Sequence, residues 1–347
     1  MRTLPLFNNH SNNDLSQVSL QPILDLTKGK MEKVNNIILG MAKSQTELIP
    51  KIIEYLASAG GKRIRPMLTL ASAAMFNYNS DTFDDVKLAA AVEFMHTATL
   101  LHDDVVDESD LRRGKQAARK IWGNQASVLV GDFLLGHAFK LMVETGSLKS
   151  LEVLSNAACV ISEGEVMQLV AAKNFKTTKE DYFKIINAKT AELFSASVSV
   201  GAIISGRSKE DVDNIFSYGQ NLGVVFQLVD DILDYSGEQN NLGKNIGDDF
   251  REGKITLPIL LCYNKCNSEE KAFLTTALCE GQSSAENLAI TIDLLKKYKS
   301  LDESFITATH YANKAKQALL DLSEKDINTE VRQILLNIVD FCICRVN

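Results

Sequence analysis

Only five prolines interrupt the 347 residues of this chain, and between them apolar side chains recur at helical spacing over long stretches. A proline inside a helix removes a backbone hydrogen bond and clashes with the preceding turn, so a chain this poor in it is free to build long helices. Few segments show the strict apolar–polar alternation of a half-buried strand. The reading is an all-α protein, with helices expected at about 20–42, 45–59, 64–76, 83–107, 124–145, 148–172, 178–205, 208–236, 255–265, 268–280, 285–298, 303–323 and 327–345. Pro66 suits the first turn of a helix, where its missing N–H costs nothing. Thr177-Thr178-Lys179-Glu180-Asp181 has the composition of a capped helix start. Gly114, Gly123, Gly206, Gly237, Gly243 and Gly253 mark loops.

Residues 1–18, rich in Asn and Ser, read as a loose N-terminal arm. Residues 19–347 read as one helical domain, because no Pro-, Gly- or Ser-rich linker divides them and no fixed-period repeat appears. Segments 89–101 and 191–204 are apolar nearly all round, which places them at the centre of a bundle. Charged residues at the ends of such helices therefore demand an explanation.

The formal net charge of −7 disfavours non-specific nucleic-acid binding, and no nucleic-acid partner is expected. A protein of this charge that handles an acidic ligand must cluster its Lys and Arg locally or use metal ions. Cys159, Cys262, Cys266, Cys279, Cys342 and Cys344 lack zinc-type pairing and read as free thiols of a reducing compartment. No apolar run reads as long enough to cross a membrane. The first residues lack a signal-peptide pattern and are poor in Arg, so the expected location is the cytoplasm, with at most peripheral membrane contact.

Two acidic clusters carry the chemistry. His102-Asp103-Asp104-Val105-Val106-Asp107 puts Asp103, Asp104 and Asp107 on one helical face. The spacing recurs in Asp230, Asp231 and Asp234, and each cluster ends an apolar helix. Carboxylates this close repel one another unless a cation lies between them, and oxygen ligands without Cys or His suit a hard ion such as Mg²⁺. One such cluster could be a solvated acidic surface; two copies at the ends of apolar helices argue for a shared cleft.

Three basic segments accompany the acidic ones. Arg112-Arg113-Gly114 follows the first cluster, and paired guanidinium groups match phosphate oxygens. Gly60-Gly61-Lys62-Arg63-Ile64-Arg65-Pro66 puts basic side chains at a helix start, which itself favours anions. Gly243-Lys244 and Gly253-Lys254 flank further carboxylates after the second cluster, like a lid supplying lysine to a metal-bound phosphate. No strand precedes that loop, so it is not a Walker loop. Metal-binding carboxylates and phosphate-binding cations on an apolar bundle suit a ligand with a diphosphate head and a hydrocarbon tail.

With these motifs in this order, joined by Lys189-Thr190, Gln227 and the run to Pro258, the chain resembles the trans-isoprenyl diphosphate (polyprenyl) synthases over roughly residues 30–345. The resemblance implies an all-α, single-domain bundle of long antiparallel helices around a central cavity. It implies that Asp103, Asp104, Asp107, Asp230, Asp231 and Asp234 hold three Mg²⁺ ions on an allylic diphosphate, with Asp234 acting through water. Arg112, Lys189, Lys244 and Lys254 then grip that diphosphate, and Lys62, Arg65, His96 and Arg113 hold isopentenyl diphosphate. Ionisation of the allylic C–O bond leaves a carbocation stabilised by Thr190, Gln227 and the backbone near Lys189; the isopentenyl double bond attacks it, and a proton leaves to the departing diphosphate. Lys189, Thr190 and Gln227 are thus the catalytic set. Glu165 and Gln168 read as supporting residues, and His102, His137 and His310 as structural. A homodimer is implied by the family alone.

Short-chain members of the family place aromatic rings one turn before the first cluster. Here Ala98 and Thr99 are small, which implies an open tunnel and a long product such as a quinone tail precursor, primed by farnesyl or geranylgeranyl diphosphate. Leu135, Phe139, Met142 and Leu154 are candidates for its floor or for plain core. The chain departs from commoner family wording at Asn245 and Phe250, neither an expected ligand. A class I terpene cyclase is the rival enzyme, but it would usually carry one aspartate-rich motif and a different second one. A non-catalytic partner subunit would have lost carboxylates or cations, and none is missing. A di-iron bundle would need Glu-x-x-His pairs, and none is found.

Overall fold

A computed structural model describes residues 19–40, 46–58, 60–112, 114–236 and 246–346. Residues 1–18, Arg113 and the stretch holding Gly237, Gly243, Lys244 and Asn245 lie outside them. The described chain is all-α apart from one small hairpin. The helices are α1 (Gln21–Gly40), α2 (Leu48–Ser58), α3 (Ile64–Met75), α4 (Asp84–Val106), α5 (Ala118–Glu144), α6 (Leu148–Ala171), α7 (Lys179–Ile186) and α8 (Glu192–Ile204). They continue with α9 (Lys209–Ser236), α10 (Asp248–Glu252), α11 (Leu257–Lys265), α12 (Ser268–Cys279), α13 (Ala285–Lys297), α14 (Ser300–Leu320) and α15 (Thr329–Cys344). All six cysteines are free.

The core lies where α4, α8 and α9 meet their neighbours. α8 packs on α3, α6 and α9, while α4 runs along α5 and α9 along α14. Close approach between α8 and α9 depends on glycine. A Cβ on Gly219 would stand 2.6 Å from the Ser195 Cα, and one on Gly223 would stand 2.5 Å from the Ala191 Cα. α8 buries three serines without penalty, because Ser195, Ser197 and Ser199 each donate to the carbonyl four residues earlier. Ser72 of α3 donates to the Val198 carbonyl at 2.6 Å and ties the two helices together.

The capped start at Thr178 forms as the sequence suggests. Its hydroxyl accepts from the Asp181 N–H, and the Asp181 carboxylate accepts from the Thr178 N–H. Three local features differ from the expectation. The helix expected to begin near 124 begins at Ala118, and Gly123, at φ 85°, kinks it instead of ending it. Leu111–Arg112 pairs with Lys115–Gln116 as a hairpin turning at Gly114, where a loop was expected. The expected helix 178–205 is interrupted by a wider π-type turn, Asn187–Ala191, between α7 and α8.

The expectation that no segment could span a membrane also needs correction, because α5 is long and apolar enough by length and composition. Asp132 and Lys140 interrupt the apolar run in the sequence, while the helix as a whole stays apolar on average. One side of α5 packs on α4, while Ile121, Val128, Leu129 and Val143 on the rest are exposed.

Candidate active site

The first acidic cluster closes α4, whose upstream turns bury Ala91, Val92, Phe94, Met95, Ala98 and Leu101. Helical geometry then divides its carboxylates. Asp103 and Asp107, four residues apart, each lie 3.7 Å from a lysine, Lys189 and Lys254, whereas Asp104 is buried. Arg112, on the first strand of the hairpin, donates Nε at 2.8 Å and Nη2 at 2.5 Å to the same Asp104 oxygen. Burial pushes the Asp104 pKa up, and the guanidinium opposes it. Burial also works against the charge on Arg112, but Asp104 outweighs it and holds Arg112 protonated. Arg112, expected on the diphosphate, is thus engaged with a carboxylate behind it. His102 donates Nε2 to the Val128 carbonyl at 3.1 Å, and Gly131 leaves room for the ring.

The π-type turn carries Lys189 and Thr190. Lys189 Nζ lies 2.6 Å from Glu165 on α6 and 3.7 Å from Asp103. Gly164 permits this approach, since a Cβ there would stand 2.8 Å from the Lys189 nitrogen. Burial, and then the charge of Asp103, raises the Glu165 pKa, with Lys189 opposing. Thr190 donates to Gln227 Oε1 at 2.9 Å, which brings these two expected residues together.

The second cluster ends α9, and each carboxylate has its own partner. Asp230 accepts from Arg345 at 2.7 Å. Asp231 is buried and accepts from the Tyr182 hydroxyl at 2.5 Å and the Gln227 amide at 2.7 Å. Burial and the charge of Asp249 raise its pKa well above the carboxylate range, and these two donors oppose that. Asp234 accepts the backbone N–H groups of Asp248 and Asp249 at 3.1 Å each, which anchors the start of α10. Burial and Asp249 push the Asp234 pKa up to about 7.

Lys254, just beyond α10, joins the first cluster to the acidic residues of α10. Its Nζ contacts Glu252 and lies 3.7 Å from Asp107 and 3.9 Å from Asp249. Burial works against its charge, but Asp249, Glu252 and Asp107 outweigh burial and hold its pKa above the ordinary value. Among the described residues no three acidic, imidazole or thiol groups stand together as a ready-made metal site. The donors are nonetheless all carboxylate oxygens. That set fits a hard divalent ion such as Mg²⁺.

A second basic group lies at the start of α3. Arg65 Nη1 lies 3.2 Å from His96 Nε2; a guanidinium only donates, so that nitrogen accepts and the imidazole is neutral. The Arg65 guanidinium also stacks over Phe194 at 4.5 Å. Lys62 lies over Phe341 at 4.9 Å, and burial followed by the Arg345 charge lowers its pKa. Upstream of the first cluster, Ala98 is buried and Thr99 donates to the His96 carbonyl at 2.8 Å. Of the floor candidates, Met142 and Leu154 are fully buried core, while Leu135 and Phe139 are half-buried.

Arg345 and Tyr182 escaped the sequence reading. Each lies far along the chain from the carboxylate it contacts, 115 residues for Arg345 and 49 for Tyr182, so no local spacing could reveal it. Asp249 and Glu252 were visible only as acidic residues of the lid.

Comparison with known proteins follows the same lines. The polyprenyl synthetase family model matches residues 46–295. The octaprenyl diphosphate synthase of Escherichia coli is 42% identical over 328 residues, covering 94% of this chain and 99% of that protein. The crystal structure of a decaprenyl diphosphate synthase from Rhodobacter capsulatus superposes with a TM-score of 0.89 at 42% identity, covering 95% of this chain and 100% of the other. A polyprenyl synthase from Caulobacter crescentus, crystallised with calcium and isoprenyl diphosphate, gives 0.89 at 45% identity, covering 95% and 98%.

Proposed function

The chain belongs to the polyprenyl synthetase family, and from that premise we propose that it is a prenyltransferase that extends an allylic diphosphate with isopentenyl diphosphate to a long trans-polyprenyl diphosphate. The observation that carries this reading is the pair of lysine bridges. Lys189 and Lys254 each lie 3.7 Å from a carboxylate of the first cluster, Asp103 and Asp107, so cations and carboxylates meet at the end of an apolar helix. Asp103, Asp107 and Asp230 are the carboxylates directed to Mg²⁺, three ions being the expected complement with diphosphate bound. Asp104 and Asp231 act from behind, because both are buried and held there by Arg112 and Tyr182. Mg²⁺, when bound, neutralises the diphosphate as it departs.

The chain's own groups account for the remaining steps. Lys189 and Lys254 hold the allylic diphosphate and exchange their carboxylate partners for phosphate oxygens. Lys62, Arg65 and the neutral His96 orient isopentenyl diphosphate, so that its double bond meets the allylic carbon in a dry cleft. Thr190 and Gln227 offer fixed dipoles to the developing cation. The proton released leaves with diphosphate, and no protein base is assigned. Small Ala98 and Thr99 admit a growing tail. Farnesyl or geranylgeranyl diphosphate is the expected primer, and a quinone tail the expected use.

The exposed apolar side chains of α5 and α6 support a homodimer. Leu129, Val143 and Leu148 are joined there by Val166, Leu169 and Val170. The primary test incubates the protein with Mg²⁺, labelled isopentenyl diphosphate and farnesyl diphosphate, then resolves the dephosphorylated products. A ladder ending in one long polyprenol, abolished by EDTA, is expected. No incorporation from any allylic primer would refute the reading.

A further inference from the structure

Thr190 and Gln227 can serve a cation only if their dipoles point the right way, and a hydrogen-bond chain sets that direction. The Tyr182 hydroxyl donates to one oxygen of Asp231 at 2.5 Å. The Gln227 amide nitrogen donates to the other at 2.7 Å, and Thr190 donates to the Gln227 carbonyl oxygen at 2.9 Å. Both Asp231 oxygens accept, one from the Tyr182 hydroxyl and the other from the Gln227 NH₂, and the Gln227 oxygen is turned toward Thr190. That oxygen also only accepts, so Thr190 must spend its single proton on it. What the Thr190 hydroxyl has left to present is its lone pairs. Electron density, not a hydrogen, is then what the Thr190 hydroxyl offers from the turn that also carries Lys189.

We propose that Tyr182 is a positioning residue for the condensation: through Asp231 it fixes the orientation in which Gln227 and Thr190 meet the allylic cation. The proposal rests on the reaction assigned above. Tyr182 is only 4% exposed, so it acts through its neighbours and not on substrate. Its own position is well determined. It follows directly on the capping box of α7, and its ring meets Phe183 edge-on with centroids 5.4 Å apart. Without the hydroxyl, one oxygen of a buried carboxylate loses its donor. The carboxylate is then free to rotate, and the amide and hydroxyl beyond it lose their common reference.

Tyr182→Phe keeps the ring and removes the donor. With farnesyl and isopentenyl diphosphates, kcat is expected to fall roughly ten- to hundredfold. Both KM values, and the calorimetric affinity for farnesyl thiodiphosphate with Mg²⁺, should stay within about twofold of the parent. The thio analogue resists ionisation and so reports ground-state binding alone. Combined with Thr190→Val, the double variant should be no slower than Thr190→Val by more than about twofold, since both changes break one chain. Multiplying effects would overturn the proposal. So would loss of analogue binding or a markedly lower melting temperature, because either shows a role in structure only. Turnover by the parent chain, measured alongside, tests the assigned reaction separately.

Discussion

At the scale of single residues, the site is built from pairs that neutralise one another until a ligand arrives. Lys254 illustrates the design: half-buried beside three carboxylates, it keeps its charge, as the proposed grip on a phosphate requires. Lys254→Ala should lower kcat/KM for the allylic primer roughly a hundredfold or more, checked by steady-state kinetics with farnesyl diphosphate. Ala98 is buried one turn upstream of the first cluster. Ala98→Phe should end the product ladder several isoprene units earlier on chromatography; an unshifted ladder would remove Ala98 from the tunnel wall. Single residues were also where the sequence said most. Asp103, Asp107, Lys189, Thr190, Gln227 and Lys254 could all be picked out as candidates from spacing, motif order and resemblance, because each lies in a short motif. The division of labour inside each acidic triplet was not legible. Which carboxylate turns inward depends on whether Arg112 or Tyr182 stands behind it, and the spacing alone does not encode that.

Among the elements, the decisive contact is the crossing of α8 and α9. A methyl group at Gly223 would stand 2.5 Å from the Ala191 backbone, in the turn that carries Lys189 and Thr190. Gly223→Ala should therefore destabilise the fold by about 1–3 kcal/mol. It should also depress kcat by displacing that turn, and thermal melts with kinetics on the same sample check both. Away from the site, Glu270 caps α12 and accepts from Lys297 and Tyr298, and these bonds hold its pKa at about 2, below the ordinary 4.5. A carboxylate whose pKa is lowered by folding stabilises the folded state above the unfolded value and loses that contribution as pH falls. Glu270→Gln should thus melt below the parent at pH 7, with the gap narrowing as pH drops from 4.5 toward 2. Helix existence followed from the sequence, since periodicity and scarce proline leave little choice. The π-type turn and the kink at Gly123 did not, because each arises where a helix must adjust to its neighbours.

For the molecule as a whole, α5 and α6 carry exposed apolar side chains among the described residues, Leu129, Val143, Leu148, Val166, Leu169 and Val170. If a second copy covers them, the parent should sediment at twice the chain mass. Replacing Leu169 and Val170 together with Glu should then yield a monomer, as read by analytical ultracentrifugation. A parent that sediments as a monomer would remove the dimer from the proposal.

By itself the sequence determined the fold class, the family and the residue types of the site. These depend on local periodicity and on motifs a few residues long, where chemistry and spacing are read together. The tertiary structure alone decided which of those groups meet. It brought Arg345 to Asp230 and Tyr182 to Asp231, buried Asp104 against Arg112, and pointed the Thr190 hydroxyl at Gln227. The physical reason is that a buried carboxylate must find its donors wherever packing places them, and packing joins helices remote from one another in the chain.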